Sequence, residues 1–152
     1  LVPASPPSSL LHLPRPCFSP AFRARNLHQR GTVASLAKVL IVEDNSDVRR
    51  LYAIGLNQRG YEVKLAANGA EAVERIASEK PDVVLLDWLM PLMDGSEVLS
   101  KLSENGNRSV PVIVISGQPA PDELDPRIRC WLTKPVSIDE LVTEIQRGDA
   151  VD

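Results

Sequence analysis

The stretch VVLLDWLMP, residues 83–91, constrains the fold of this chain more than any other. Val83, Val84, Leu85 and Leu86 form a continuous apolar run, the pattern of a strand buried on both faces. Strands of that kind belong to parallel sheets with helices packed on either side. Such a strand has no use for a charge, yet Asp87 ends it, and Pro91 soon forbids regular structure. A carboxylate held at the tip of a buried strand needs a reason.

The chain from Lys38 onward repeats the arrangement. KVLIV (38–42) is a short apolar run followed by the polar EDNSD. Val48, Leu51, Tyr52, Ile54 and Leu56 then recur at helical spacing as far as Gly60. YEVKLA (61–66) alternates as a strand, and Asn68 with Glu71 has the spacing of a helix cap, opening a helix through Ser78 that Pro81 stops. Asp94 and Glu97 repeat the capping pattern before a helix that reaches Asn105-Gly106. VIVIS (112–116) and CWLT (130–133) read as the fourth and fifth strands. Ser137 and Glu140 cap a last helix whose apolar face is Ile138, Leu141, Val142 and Ile145. Strands alternating with helices predict an α/β protein with a parallel sheet covered on both faces. Right-handed crossovers place all strand C-termini on one edge, and ligands of such folds bind outside that edge.

Polar residues mark four of those strand ends. Glu43 and Asp44 follow the first strand, Asp87 ends the third, Ser116 ends the fourth and Lys134 follows the fifth. Three carboxylates in one crevice repel each other, and one stays protonated unless a cation joins them. A small hard ion such as Mg²⁺ suits the set, because it takes one or two carboxylates and shares the remaining positions with water and phosphate oxygens. The Lys134 ammonium and the Ser116 hydroxyl can each meet a phosphoryl oxygen. The set has the make-up of a carboxylate nucleophile that accepts a phosphoryl group.

Four motifs in this order resemble the receiver domain of two-component response regulators: VLIVEDN at the first strand end, LLDWLMPLMDG at the third, VISG at the fourth and LTKP at the fifth. The likeness covers residues 38 to about 147 and implies the flavodoxin-like, doubly wound, five-stranded parallel fold. Carried over by position, it makes Asp87 the phosphoacceptor and Asp44 a direct Mg²⁺ ligand. Glu43 would act through metal-bound water, and the Leu89 backbone carbonyl would complete the ligands. Ser116 and Lys134 would contact the phosphoryl group, and Ser116 would move toward it. Trp131 stands where the family carries its rotating aromatic switch, and the Lys134-Pro135 bond would be cis. The partners implied are a sensor histidine kinase or histidine phosphotransfer protein, and a downstream protein. No output domain follows the last helix in this reading, so output would belong to a partner.

The chain departs from the pattern in two places. Pro119, Pro121 and Pro126 interrupt the interval between the fourth and fifth strands, so at most a turn of helix from Asp122 to Asp125 is expected there. Leu89, two past the phosphoacceptor, is apolar where many relatives are polar and cannot position an attacking water, so a longer-lived phosphoryl group is expected.

Plainer explanations stand beside these. Glu43 and Asp44 could simply favour the dipole of the following helix. Asp94-Gly95 reads as a turn and cap, Trp131 as core filling, Trp88 as a partly exposed loop aromatic, and Cys130 as a small buried hydrophobe. Among other functions, a phosphohydrolase of the haloacid dehalogenase type needs a second Asp where Leu89 stands. A phosphorylation-independent interaction module would not need the complete set of site residues. A receiver fragment of a hybrid histidine kinase is a further alternative.

Residues 1–37 form a separate region, holding six of the thirteen prolines, four arginines and no acidic residue. Such a segment buries too little surface to offset its ordering entropy and is expected to be disordered. It fits a transit peptide, a flexible tail, or upstream sequence ahead of a fold that begins near Lys38; the last is preferred. Without it the net charge falls from -3 to -7, a poor balance for holding nucleic acid by its phosphates. The apolar runs are too short for a transmembrane helix, and two cysteines make no disulfide framework, which suits the cytoplasm. The expected organisation is therefore an extension (1–37), a domain (38–148) and a short tail (149–152).

Overall fold

The computed structural model describes residues 37–106 and 109–149, the last two by backbone alone. The N-terminal extension up to residue 36 and the tail from residue 150 lie outside the described residues. Ala37 is buried and packs into the core.

Five strands, β1 (Lys38–Val42), β2 (Glu62–Ala66), β3 (Val83–Asp87), β4 (Val112–Ser116) and β5 (Ile128–Thr133), pair in parallel in the order β2-β1-β3-β4-β5. Four helices join or follow them: α1 (Ser46–Gln58), α2 (Gly69–Glu79), α3 (Gly95–Glu104) and α4 (Ile138–Asp149). The chain turns from β1 outward to β2, then returns to β3 on the other side of β1. The switch point of the sheet thus lies between β1 and β3.

Alternation along the buried strands feeds two separate cores. Val39, Ile41, Leu85, Ile113 and Ile115 face Tyr52 and Leu56 of α1 and Leu141 and Ile145 of α4. Leu40, Val42, Val84, Leu86 and Val114 face Ala72 and Ile76 of α2 and Val98 and Leu102 of α3. Each such aliphatic side chain contributes about 1.5–3 kcal/mol by leaving water.

Local chemistry sets the helix starts. Asn45 accepts from the Asp47 and Val48 amides, and Asn68 accepts from the Glu71 amide. Asp94 with Glu97, and Ser137 with Glu140, each exchange two side-chain to backbone bonds, as their spacing predicts. α2 stops at Lys80, whose left-handed backbone (φ 48°) precedes Pro81.

One detail differs from the sequence reading, and one expectation is met at its lower limit. β5 begins at Ile128, two residues ahead of CWLT, because the charged Arg129 hides the start of the strand from a hydropathy pattern. The interval from residue 117 to 127 holds no helix at all, not even the single turn allowed for Asp122 to Asp125. Asp125 instead accepts from the Arg127 amide at 2.9 Å and pairs with its guanidinium at 2.7 Å, an arrangement closed on itself within three residues. Lys134-Pro135 is cis. Among the described residues, no helix is long and apolar enough to cross a membrane.

Candidate functional site

Register decides what meets at the sheet edge. Val42 of β1 pairs with Leu86 of β3, so the next residues, Glu43 and Asp87, leave the sheet side by side. Asp87 pairs with Ile115, and Ser116 pairs with Thr133, which brings Ser116 and Lys134 to the same edge. The Lys134 amide then donates to the Ser116 carbonyl at 2.8 Å, fixing the start of the fifth loop against the end of β4.

The side chains converge as the backbone requires. Lys134 Nζ lies 3.5 Å from Asp87 Oδ1 and 3.4 Å from Glu43 Oε2. Glu43, Asp44 and Asp87 each offer a carboxylate oxygen, and these atoms lie within 4.8 Å of one another. Glu43 and Asp87 are buried at 3% and 4% exposure, while Asp44 is exposed. Leu89, whose carbonyl was the fourth expected ligand, sits on the loop past Asp87 with its side chain half exposed.

Three carboxylates meet one ammonium here, and the imbalance is visible in their acidity. Burial, then the charge of Asp87, pushes the Glu43 carboxyl up to about 7. Burial raises Asp87 as well, against the pull of Lys134. Burial alone would lower Lys134, but Asp87 and Glu43 outweigh it and hold the ammonium above its usual value. A cluster of hard oxygen donors with excess negative charge fits a divalent cation of the Mg²⁺ kind.

Ser116 is fully buried, and its Oγ accepts from the Gln118 amide at 3.1 Å. Trp131 is partly buried, and its Nε1–H donates to the Gln118 carbonyl at 2.9 Å. Its ring lies 5.1 Å from that of Trp88 at an interplanar angle of 56°. Trp88 is the partly exposed loop aromatic expected, and it also packs on two neighbours. Its indole covers Gly95 so closely that a Cβ there would come within 2.3 Å of Cε3. Nothing in the local sequence announces this pairing, since the two tryptophans are far apart along the chain.

Arg49 also went unremarked in the sequence. From α1 its guanidinium donates to the Glu43 carbonyl at 2.8 Å. A cavity of about 450 Å³ opens between α3 and the 117–127 segment, lined by Trp88, Leu99, Leu124 and Arg127 among others. Trp88 lines it, but Glu43, Asp44 and Asp87 do not.

Comparison with known proteins agrees with this geometry. A profile of the response regulator receiver domain matches residues 39–146. Response regulator MprA of Mycolicibacterium vanbaalenii is 35% identical over 113 residues, which span 72% of this chain and 48% of that protein. MprA of Mycobacterium avium is 34% identical, with 72% and 49% covered. The chain thus spans about half the length of the curated relatives it matches. Among solved structures, the chemotaxis protein CheY4 of Vibrio cholerae aligns with a TM-score of 0.65 at 28% identity, covering 74% of this chain and 98% of that one. The receiver domain of Francisella response regulator 1452 aligns at 0.63 and 28% identity, covering 74% and 96%.

Proposed function

This chain belongs to the response regulator receiver domain family, and from that premise we propose that Asp87 accepts a phosphoryl group in a Mg²⁺-dependent reaction. The observation that carries the reading is the position of the Asp87 carboxylate. It is buried at a strand tip, 3.5 Å from Lys134 Nζ and within 4.8 Å of the carboxylate oxygens of Glu43 and Asp44. The donor in this reading is a phosphohistidine of a sensor histidine kinase or histidine phosphotransfer protein. An Asp87 oxygen attacks phosphorus in line, an O–P bond forms, the N–P bond breaks, and the electron pair stays on the donor imidazole. Lys134 pulls the Asp87 carboxyl toward its ionised, nucleophilic form against the effect of burial. Asp44 and Asp87, with the Leu89 carbonyl and with Glu43 through water, would hold the Mg²⁺, which when bound supplies positive charge for the phosphoryl oxygens.

Ser116 and Trp131 would carry the signal onward. A phosphoryl group on Asp87 adds charge and acceptor oxygens next to the Ser116 hydroxyl. Moving that hydroxyl toward it gives up the bond from the Gln118 amide, and the Gln118 carbonyl holds Trp131. Output would pass to another domain or protein, and the cytoplasm, where kinases have ATP, is the location that goes with this reading. Leu89 offers no side-chain hydrogen bond to an attacking water, so slow loss of the phosphoryl group is part of the proposal.

The test uses acetyl phosphate and Mg²⁺ with the whole chain. One acid-stable but base-labile phosphoryl group is not expected; an acyl phosphate labile to hydroxylamine is, located at Asp87 by peptide mapping. Asp87→Asn and chelation of Mg²⁺ should each abolish it. Absence of labelling in the unmodified chain would leave a phosphorylation-independent interaction module as the better reading.

A further inference from the structure

We infer that Arg49 is a positioning residue for the Mg²⁺ site, holding in place the peptide that joins Glu43 to Asp44. The inference rests on the reading of Glu43, Asp44 and Asp87 as that site. β1 has its last paired residue at Val42, opposite Ala66 and Leu86. Beyond it Glu43 donates its amide to the Ala66 carbonyl at 3.2 Å, and the ladder ends. The Glu43 carbonyl takes its hydrogen bond from Arg49 Nη1 instead, at 2.8 Å.

That carbonyl belongs to a planar peptide with one ligand residue on each side. Fixing its plane restrains the two Cα atoms from which both side chains depart. Arg49 is itself held: its amide donates to the Asn45 carbonyl at 2.9 Å within α1. Asn45 caps that helix, and its own amide donates to Glu43 Oε1 at 3.2 Å. Glu43 side chain, Asn45 cap, Arg49 guanidinium and Glu43 carbonyl thus close a ring of contacts around the acidic turn.

Charge and positioning predict opposite outcomes here. A guanidinium near a divalent cation repels it, so an electrostatic role alone means that removing Arg49 tightens Mg²⁺ binding. A positioning role means that removal weakens it. Titration of the whole chain with MgCl₂ and no phosphodonor, followed by tryptophan fluorescence and calorimetry, separates the two. Arg49→Met keeps the aliphatic stem and should raise the Mg²⁺ dissociation constant by about tenfold, the scale of lost support behind a metal ligand. Arg49→Lys, which keeps a donor on a long stem, should recover most of the affinity. Unchanged or tighter binding in Arg49→Met overturns the inference. If that variant does not fold, Arg49→Gln, which loses the charge and much of the reach, gives the same decision by the same sign. An unmodified chain that binds no Mg²⁺ overturns the site reading itself, and this inference with it.

Discussion

Among the described residues two places bury carboxylates, and their charges are matched to different degrees. Under α4, Glu144 lies 8% exposed, 3.3 Å from Arg147, and its carbonyl accepts from the Arg129 guanidinium of β5. Glu144 and the neighbouring Glu140 face two guanidiniums there, those of Arg147 and Arg129. At the sheet edge three carboxylates, Glu43, Asp44 and Asp87, face two cations: the Lys134 ammonium beside Glu43 and Asp87, and the Arg49 guanidinium at the Glu43 carbonyl. Burial raises the pKa of Glu144 as it does those of Glu43 and Asp87, so burial alone does not set the sheet edge apart. The charge count separates the two: carboxylates and guanidiniums match under α4, whereas the sheet edge keeps an excess of carboxylates that a cation would offset.

The largest effect expected from this contrast is at Arg129. Arg129→Met should cost about 3 kcal/mol in urea unfolding, because a buried carboxylate loses a neighbouring charge, and added Mg²⁺ should restore none of it. Lys134→Met should also destabilise the metal-free chain, but here Mg²⁺ should restore stability. If Mg²⁺ rescues both variants or neither, the two clusters do not differ in the way described. Next in size is the unmodified chain, which should gain about 2.7 kcal/mol when Mg²⁺ is present at a hundred times its dissociation constant. Smaller still, Asp87→Asn in metal-free buffer should gain about 1 kcal/mol by removing a repelled charge, and should blunt the Mg²⁺ gain. Glu144→Gln should show no such gain.

The smallest expected effect is on pH dependence. Glu43 titrates at about 7 in the fold against 4.5 ordinarily, so the folded chain holds that proton more tightly than the unfolded one. The stability it lends is complete below about pH 4.5 and lost as pH rises through about 7. Melting curves of the metal-free chain should fall across that window, and Glu43→Gln should flatten them. Glu144 shifts in the same direction, so Mg²⁺ should cancel the part belonging to Glu43 and leave the part belonging to Glu144.

Much of the fold was legible because its cues are local. The apolar runs, the paired capping residues at Asp94 and Glu97 and at Ser137 and Glu140, and the three prolines between β4 and β5 act over a few residues. The edge cluster was legible for a different reason. Its members follow strands, and parallel topology carries strand ends to one rim. Contacts that depend on side chains meeting across the fold left no trace. Trp88 and Trp131 meet only after the sheet has formed, and Arg129 and Glu144 carry charges that a hydropathy pattern assigns to solvent. Leu92, fully exposed at a left-handed φ of 73°, has no sequence cue either, since glycine or asparagine is the usual occupant of that conformation.

The connection from Ser116 to Ile128 runs through residues 117–127 without a helix. Pro119, Pro121 and Pro126 restrict its torsions, and the Asp125 clasp on Arg127 ties down its far end. If Ser116 moves on phosphorylation of Asp87 as proposed, this connection is the covalent route from it to β5, the edge strand of the sheet.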